Sequence, residues 1–270
     1  MFKKDRSFSR LFVTFGVLPL LFIAGVQLFI LSTQTADYFA WTIASPLTAA
    51  FMGAGYWAAL IASYMSLRQE SSVWVRVTGL TSLAATTLLG IATFLHLDKF
   101  HLASPALLTR FVTWVWIIVY VVTPFVFLAL WLKIGRHSDD TMGVNPLPGW
   151  VRFGYDLQAV LTLLAGITLF VVPAAVSGFW PWALTPLTAR AVGAWLAAYG
   201  LACVAIQREN NLPNTQGTRA SLFAFCILQF IALARYLPNV DWMKPLAWFY
   251  LFVLLVGVVV SIPGLFHQSK

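Results

Sequence analysis

The segment HLDKFH, which runs from His96 to His101, holds the densest group of polar side chains that could carry out chemistry. Its imidazoles and the carboxylate of Asp98 are ligand types that suit zinc or iron. The candidate metal ligands are therefore His96, Asp98 and His101. Their spacing matches no closed zinc signature, and a solvated loop at a membrane surface accounts for them without a metal. The sequence favours the solvated loop.

Three arginines lie close to the ends of apolar runs, where a guanidinium group could bind a carboxylate, a phosphate or a lipid head group. Arg190 lies four residues inside the run that begins at Pro186, about 6 Å along a helix axis. Aspartates offer ion-pair partners. The candidate ligand-binding residues are Arg190, Arg110, Arg235, Asp98 and Asp241. The ordinary alternative is that these side chains extend to the membrane surface or form ion pairs there.

Other catalytic and cofactor patterns are missing from the sequence. No His, Lys, Asp or Glu lies at the middle of an apolar run, which argues against a haem held by two histidines, a retinal Schiff base and a proton relay. Cys203 and Cys226 form no Cys-x-x-Cys pair and are expected to be small core residues. The sequence therefore names no cofactor and leans against an enzyme.

The elements that must position these residues are membrane helices. Hydrophobic residues make up 60% of the 270 residues and charged residues only 10%, whereas soluble domains carry about 25% charged residues. The formal net charge is +8, and its cations lie between the apolar runs. Because no basic stripe is interleaved with exposed aromatic residues, we expect membrane lipids as partners and no nucleic acid.

Eight apolar runs are long enough, at about 20 residues each, to cross a bilayer. The sequence thus predicts an all-α polytopic membrane bundle of eight transmembrane helices. The first run is too long for the core of a signal peptide and is expected to be a retained span. The runs cover residues 11–31, 46–67, 77–95, 108–132, 157–176, 186–206, 220–236 and 245–266.

Cations are concentrated at the N-terminus and in alternate links between the runs. The links that follow the second, fourth and sixth runs are the basic ones, and the intervening links are poorer in Lys and Arg. The positive-inside rule then places both termini in the cytoplasm, with the protein in the plasma membrane. The cations of these links are Arg68 and Arg76, then Lys133, Arg136 and Arg152, then Arg208 and Arg219.

The chain contains an internal similarity. The segment PLTAAFMGA, which begins at Pro46, returns 140 residues later as PLTARAVGA, which begins at Pro186. Each copy would hold four spans, and an even number of spans returns the chain to its starting side. The sequence therefore predicts two parallel four-helix repeats, residues 1–140 and 141–270, with a cavity expected at the interface between them. Arg190 occupies the place that Ala50 holds in the first copy.

Two classes of function remain open. In the first, the protein binds or passes a small anionic or lipid-like ligand in an outward-facing cavity between the repeats. In the second, it is an accessory or structural subunit of a larger membrane complex, or a membrane-embedded enzyme with a site at the outer interface. The sequence favours binding or passage over catalysis, and it does not identify the ligand.

Overall fold

The computed structural model describes residues 11–67, 73, 75–135 and 143–263. Over these residues the fold is helical, as the sequence predicts, apart from one isolated β-bridge between Trp41 and Phe100. Eight long helices follow one another. They are α1 (Val13–Ile30), α2 (Pro46–Ser66), α3 (Val75–Leu95), α4 (Leu107–Lys133), α5 (Gly149–Val171), α6 (Pro186–Glu209), α7 (Leu212–Arg235) and α8 (Pro245–Ser261).

The length and hydropathy of the helices fit a membrane. Seven of them, α1 to α7, are long and apolar enough to cross a bilayer, and α8 is a shorter apolar helix of 17 residues. Large apolar side chains point outward along the bundle; Phe15, Phe125 and Phe153 are each at least 70% exposed. Such a surface is compatible with hydrocarbon as the surrounding medium and hence with an integral membrane protein.

Two helices begin well before the apolar runs that predicted them. Helix α5 begins at Gly149 and α7 at Leu212, about two turns earlier than expected. Hydropathy marks only the apolar part of a span, whereas a helix also continues through its polar first turns. Arg152 and Arg219 therefore lie inside helices, as do Arg76, Lys133 and Arg208 at the ends of α3, α4 and α6, and the predicted placement of these five cations in links is wrong. Arg68, Arg136 and both chain ends fall outside the described residues.

The two copies of the PLT segment start their helices in the same way. The Ser45 hydroxyl accepts a hydrogen bond from the backbone N–H of Thr48, and the Thr185 hydroxyl accepts one from Thr188. A proline follows each capping residue at the first helical position, where its missing N–H costs nothing. These caps fix where α2 and α6 enter the bundle.

Glycines allow the closest helix contacts. A Cβ added at Gly53 in α2 would lie 2.4 Å from the backbone nitrogen of Phe29 in α1. One added at Gly193 in α6 would lie 2.6 Å from the carbonyl oxygen of Gly166 and 2.9 Å from the nitrogen of Phe170, both in α5. Helix α1 is thus packed against α2, and α5 against α6, at distances that only glycine permits.

Four helices form the centre of the bundle. Helix α2 packs against α7, and α6 packs against α3. Helix α4 covers α3 from outside, and α8 covers α7. On the periphery, α5 also packs directly against α8. Helices α1 and α4 do not pack against each other to a comparable extent along their described lengths.

Candidate functional site

A cavity of about 70 Å³ lies between α2, α3, α6 and α7 at the centre of the bundle. Of its 15 lining residues, 14 form seven pairs whose members are 140 positions apart in the chain, and Phe225 is the remaining one. The pairs are Gly55 with Trp195, Ala58 with Ala198, Ala59 with Tyr199, Ala62 with Ala202, Thr78 with Thr218, Thr81 with Ser221, and Ser82 with Leu222.

Members of two pairs touch each other across the cavity. The hydroxyl oxygens of Thr78 and Thr218 are 3.4 Å apart. A Cβ added at Gly55 would lie 2.7 Å from ring atom Cε3 of Trp195, so the indole lies directly on the α2 backbone. The cavity thus lies where α2 and α3 meet α6 and α7.

The two sides of the cavity differ in side-chain size. Ala59 lines the cavity from α2. Tyr199 of α6, which lies 140 positions later in the chain, is a much larger side chain. Ser82 on α3 is likewise smaller than Leu222 on α7, which lies 140 positions later in the chain. Ala59 and Ser82 are partly exposed, while Tyr199 and Leu222 are buried. The cavity therefore opens on the side of α2 and α3.

The chemistry of the cavity wall is that of hydroxyl and aromatic groups. Thr81 donates to the carbonyl of Val77 at 3.0 Å, and the Tyr199 hydroxyl lies 3.6 Å from the sulfur of Cys226. The indole nitrogen Nε1 of Trp195 is buried and has no acceptor among the described residues. None of the lining residues carries a charge. This wall suits an uncharged molecule with one or two polar atoms, and it offers no pairing of a nucleophile with a base.

An ion pair joins α3 to α6 beside the cavity. The Nε and Nη2 atoms of Arg76, two residues before Thr78, donate to the carboxylate of Glu209 at 3.2 and 3.1 Å. Asn214 Nδ2 donates to the same buried carboxylate at 2.6 Å. The pair ties the first turn of α3 to the last turn of α6. Glu209 is not among the site residues predicted from the sequence, although an acidic residue at the basic end of an apolar run is a signal for such an ion pair.

Arg219 is a fully buried cation in the first half of α7. Its Nε donates to the hydroxyl of Thr215 at 3.2 Å, and Nη2 donates to the carbonyl of Leu212 at 2.9 Å. Nη1 donates to the carbonyl of Pro263, just beyond α8. These oxygens come from neutral groups, and hydrogen bonds to them offset the cost of burying the charge. Arg219 therefore joins the end of α8 to the start of α7.

Arg190 and His96 are the two predicted site residues that the structure brings together. Arg190 Nη1 lies 2.6 Å from His96 Nε2, which must accept and is therefore unprotonated. Burial lowers the pKa of His96 below its usual range, and the positive charge of Arg190 lowers it further. The contact joins α6 to the link between α3 and α4, at the end of the bundle that lies away from the Arg76–Glu209 ion pair.

The other predicted anion-binding residues have separate partners. Arg235 donates to the carbonyls of Phe29 and Ile30 at 2.7 and 3.2 Å, which holds α7 against the end of α1. The remaining three are exposed: Arg110 begins α4, Asp98 pairs with Lys99 at 2.9 Å, and Asp241 pairs with Lys244 at 3.9 Å. None of these side chains lines the central cavity.

The histidine segment is held by ordinary hydrogen bonds. Both ring nitrogens of His101 are engaged, Nε2 with the Thr42 hydroxyl at 3.0 Å and Nδ1 with the carbonyl oxygen of Phe39 at 3.1 Å. Across the described ranges, no three His, Cys, Asp or Glu side chains are grouped so that they could hold a metal ion. The predicted metal ligands His96, Asp98 and His101 thus have three different sets of partners.

The central cavity is the candidate functional site because it combines internal space with polar side chains at the core of the bundle. Comparison of the chain with protein-family models, with curated proteins and with solved structures finds no match. The geometry of the cavity and of the ion pair beside it is therefore the basis for a functional proposal.

Proposed function

We propose that this protein is an eight-span membrane protein made of two parallel four-helix repeats, which binds a small, uncharged, lipid-like molecule in the cavity between them. The observation that carries the proposal is the set of seven residue pairs, each 140 positions apart, that line one cavity. A ligand site at the interface of two repeats is a common arrangement in membrane proteins.

The duplication is supported by equivalent contacts in the two halves of the chain. Thr78 meets Thr218, its own counterpart, as residues on a pseudo-two-fold axis do. Gly53 and Gly193 accept α1 and α5 in the same manner. The repeats cover residues 1–140 and 141–270. Because each repeat has an even number of spans, the axis runs along the membrane normal.

Helix α8 completes the count of eight spans. Its 17 residues extend for about 26 Å, at the lower limit for crossing the hydrocarbon of a bilayer. It packs along α7 and α5, as an inserted helix would. With eight spans both termini lie on one side, and the distribution of cations favours the cytoplasmic side of the plasma membrane.

An uncharged ligand fits the cavity better than an anion does. The lining residues include hydroxyl groups and an indole N–H but no Lys or Arg. Arg190, the candidate for anion binding, already donates to His96 at the other end of the bundle. The cavity lies near Arg76, at the end that the charge pattern assigns to the cytoplasm. The proposal therefore moves the ligand from the outward-facing cavity expected from sequence to the inner half of the bundle.

The proposal is tested by photolabelling the full-length protein in lipid nanodiscs with a hexadecanol that carries a diazirine near its hydroxyl. We expect labelling of cavity residues that unlabelled hexadecanol competes away. Ala58→Leu and Ala198→Leu each fill the cavity and should reduce this labelling about tenfold. The alcohol would then have to overpack space that the leucine occupies, which costs about 1–3 kcal/mol. Val160→Leu on the exposed face of α5 is the matched control. Labelling that cannot be competed, or that survives both substitutions, would refute the proposal.

A second candidate function, as a subunit of a membrane complex, is favoured by Asp156. This carboxylate is exposed on α5, about 10 Å from the start of the helix, between the exposed apolar side chains of Phe153 and Val160. A carboxylate that faces hydrocarbon is costly and calls for a partner helix with a cation or a donor. Native mass spectrometry of the wild type and of Asp156→Asn should then show a complex that the substitution dissociates; an unchanged monomer in both argues against it.

A further inference from the structure

We infer that the ligand enters the cavity sideways, from the inner half of the hydrocarbon, through an opening between α1 and α4, and that it is an amphiphile with one long apolar chain. The inference rests on the proposed function, because it concerns the route to the same cavity. It adds a specific opening and a specific shape of ligand.

The opening is bounded on its outer side by contacts that tie α4 to the link between α1 and α2. The Thr109 hydroxyl donates to the carbonyl of Asp37 at 2.6 Å. The rings of Trp41 and Trp116 pack edge to face with their centres 5.0 Å apart. Deeper in the bundle, the hydroxyls of Tyr56 and Tyr120 form a hydrogen bond between α2 and α4. Above this tyrosine pair, the first repeat is closed toward the membrane.

An apolar cluster closes the opening on its inner side. Val13 of α1, Val75 of α3 and Phe127 of α4 are all buried against one another. Between this cluster and the tyrosine pair, α1 and α4 have no extensive contact within the described ranges. The opening therefore lies between the middle of the bilayer and its inner surface, at the depth of the cavity.

The wall of the cavity is partly exposed at the same depth. Ala59, Thr81 and Ser82 are partly exposed although they line the cavity. Thr81 and Ser82 belong to α3, a helix that α4 covers only in part. Hydroxyl groups on a membrane span are expected to face other helices or a bound molecule rather than bare hydrocarbon. An amphiphile in the opening would cover them.

The corresponding region of the second repeat is closed by packed helices and side chains. A Cβ added at Gly257 of α8 would lie 2.7 Å from the Tyr199 hydroxyl, and one added at Gly154 of α5 would lie 2.2 Å from Val260. Helices α5 and α8 thus close over Tyr199, which occupies the place of Ala59. The opening exists in the first repeat because Ala59 is small and α1 and α4 stay apart.

The size and polarity of the cavity define the ligand. With about 10–15 Å³ per water-sized group, 70 Å³ holds a polar end of roughly five heavy atoms. The apolar chain must then remain in the opening, in contact with lipid. The indole N–H of Trp195, which has no acceptor among the residues that the structure describes, is suited to donate to a hydroxyl or carbonyl oxygen of that polar end. A long-chain alcohol, ester or ketone meets these conditions, whereas a carboxylate or phosphate does not.

The route is tested by spin-label accessibility in the full-length protein in nanodiscs, after Cys203→Ala and Cys226→Ala. Labels are placed by Ser82→Cys at the opening, Leu222→Cys at the buried counterpart, and Val160→Cys on the lipid-exposed face of α5. We expect the label at position 82 to collide with oxygen within about twofold of the label at 160, and to be shielded from a water-soluble nickel chelate. The label at 222 should be shielded from both.

A blocking variant completes the test. Ala59→Trp should fill the opening and slow labelling of the cavity by the diazirine hexadecanol about tenfold, whereas Val160→Trp should leave it unchanged. Nickel collisions at position 82 would show an aqueous route and overturn the lateral route, while the cavity and its ligand would stand. Labelling of Ala59→Trp at the wild-type rate would overturn the lateral route in the same way. If competed labelling of the wild type is absent, the proposed function itself fails.

Discussion

The indole ring of Trp195 lies against the backbone of Gly55, a residue 140 positions earlier in the chain. One half supplies the largest side chain and the other supplies no side chain at all. The pair brings α2 and α6 together at the middle of the bundle and forms the roof of the cavity. Tyr56, the next residue, packs edge to face on the same indole with ring centres 4.9 Å apart.

Gly55→Ala should destabilise the protein. The new Cβ would lie 2.7 Å from a ring that Tyr56 holds in place, so one of the helices must shift. We expect a loss of about 1–3 kcal/mol in the free energy of unfolding, measured by titration with a denaturing detergent. Gly149→Ala at the start of α5 meets none of the described residues within 4 Å and serves as the control. Equal stability of both variants would show that the indole can move freely.

Glu209→Gln should loosen the inner end of the bundle. The substitution removes the charge that pairs with Arg76, which is itself largely buried. Breaking one side of a buried ion pair costs about 3 kcal/mol. The double variant with Arg76→Met should recover part of this loss, since no unpaired cation then remains. A double variant as unstable as the sum of the single variants would indicate that the two residues act separately.

The stability of the protein should fall as the pH drops below about 6.5, the ordinary pKa of histidine. The folded protein keeps His96 neutral and its pKa lowered, so the unfolded chain takes up the proton first. The free energy of unfolding therefore decreases with falling pH, from about 6.5 down to the lowered pKa of the folded state. Below that pKa both states are protonated and the dependence on this residue ends.

The pH effect is measured by unfolding the wild type and His96→Gln across this range. The glutamine can still accept from Arg190 but does not titrate in this range. We expect the difference in stability between the two proteins to change with pH only between the two pKa values. Parallel curves for the two proteins would assign any pH dependence to other groups.

Trp195→Phe should weaken ligand binding while leaving the fold intact. The substitution keeps an aromatic ring over Gly55 and removes the N–H that has no acceptor in the described part of the protein. Loss of one hydrogen bond to the ligand corresponds to about a two- to tenfold fall in affinity for hexadecanol. Trp41→Phe removes another unpartnered indole N–H, which lies outside the cavity, and should have no effect on that affinity.

The sequence predicts the helices but not their ends. Runs of apolar residues mark the order and class of the elements because hydrocarbon selects for such residues. They miss the first turns of α5 and α7, where Arg152 donates to Gln207 of α6 and Arg219 donates to the carbonyl of Pro263 beyond α8. Such bonds depend on neighbouring helices and leave no trace in hydropathy.

The candidate site is also predicted only in part. The match between the segments that begin at Pro46 and Pro186 predicts a cavity between two halves of the chain, and the cavity of the structure is lined by residues of α2, α3, α6 and α7. The sequence offers Arg190 as a candidate ligand-binding residue beside the favoured interpretation as a cation at the membrane surface, and in the structure its guanidinium is bonded to His96. The proposed opening depends on the difference in side-chain size between Ala59 and Tyr199. That difference is recognised only when residues 140 positions apart are compared and the faces of the helices are known.

The buried guanidinium of Arg219 has a consequence for biosynthesis. When Arg219 leaves the ribosome, Pro263, whose carbonyl later accepts from Nη1, lies 44 positions farther along the chain and has not yet emerged. An arginine inside a span raises the cost of insertion by about 2.5–3.5 kcal/mol until it finds its partners. We therefore expect α7 to wait beside the translocon and to enter the bilayer together with α8, as a helical hairpin. A nascent chain that stops before Pro263 would then remain available to quality-control proteases.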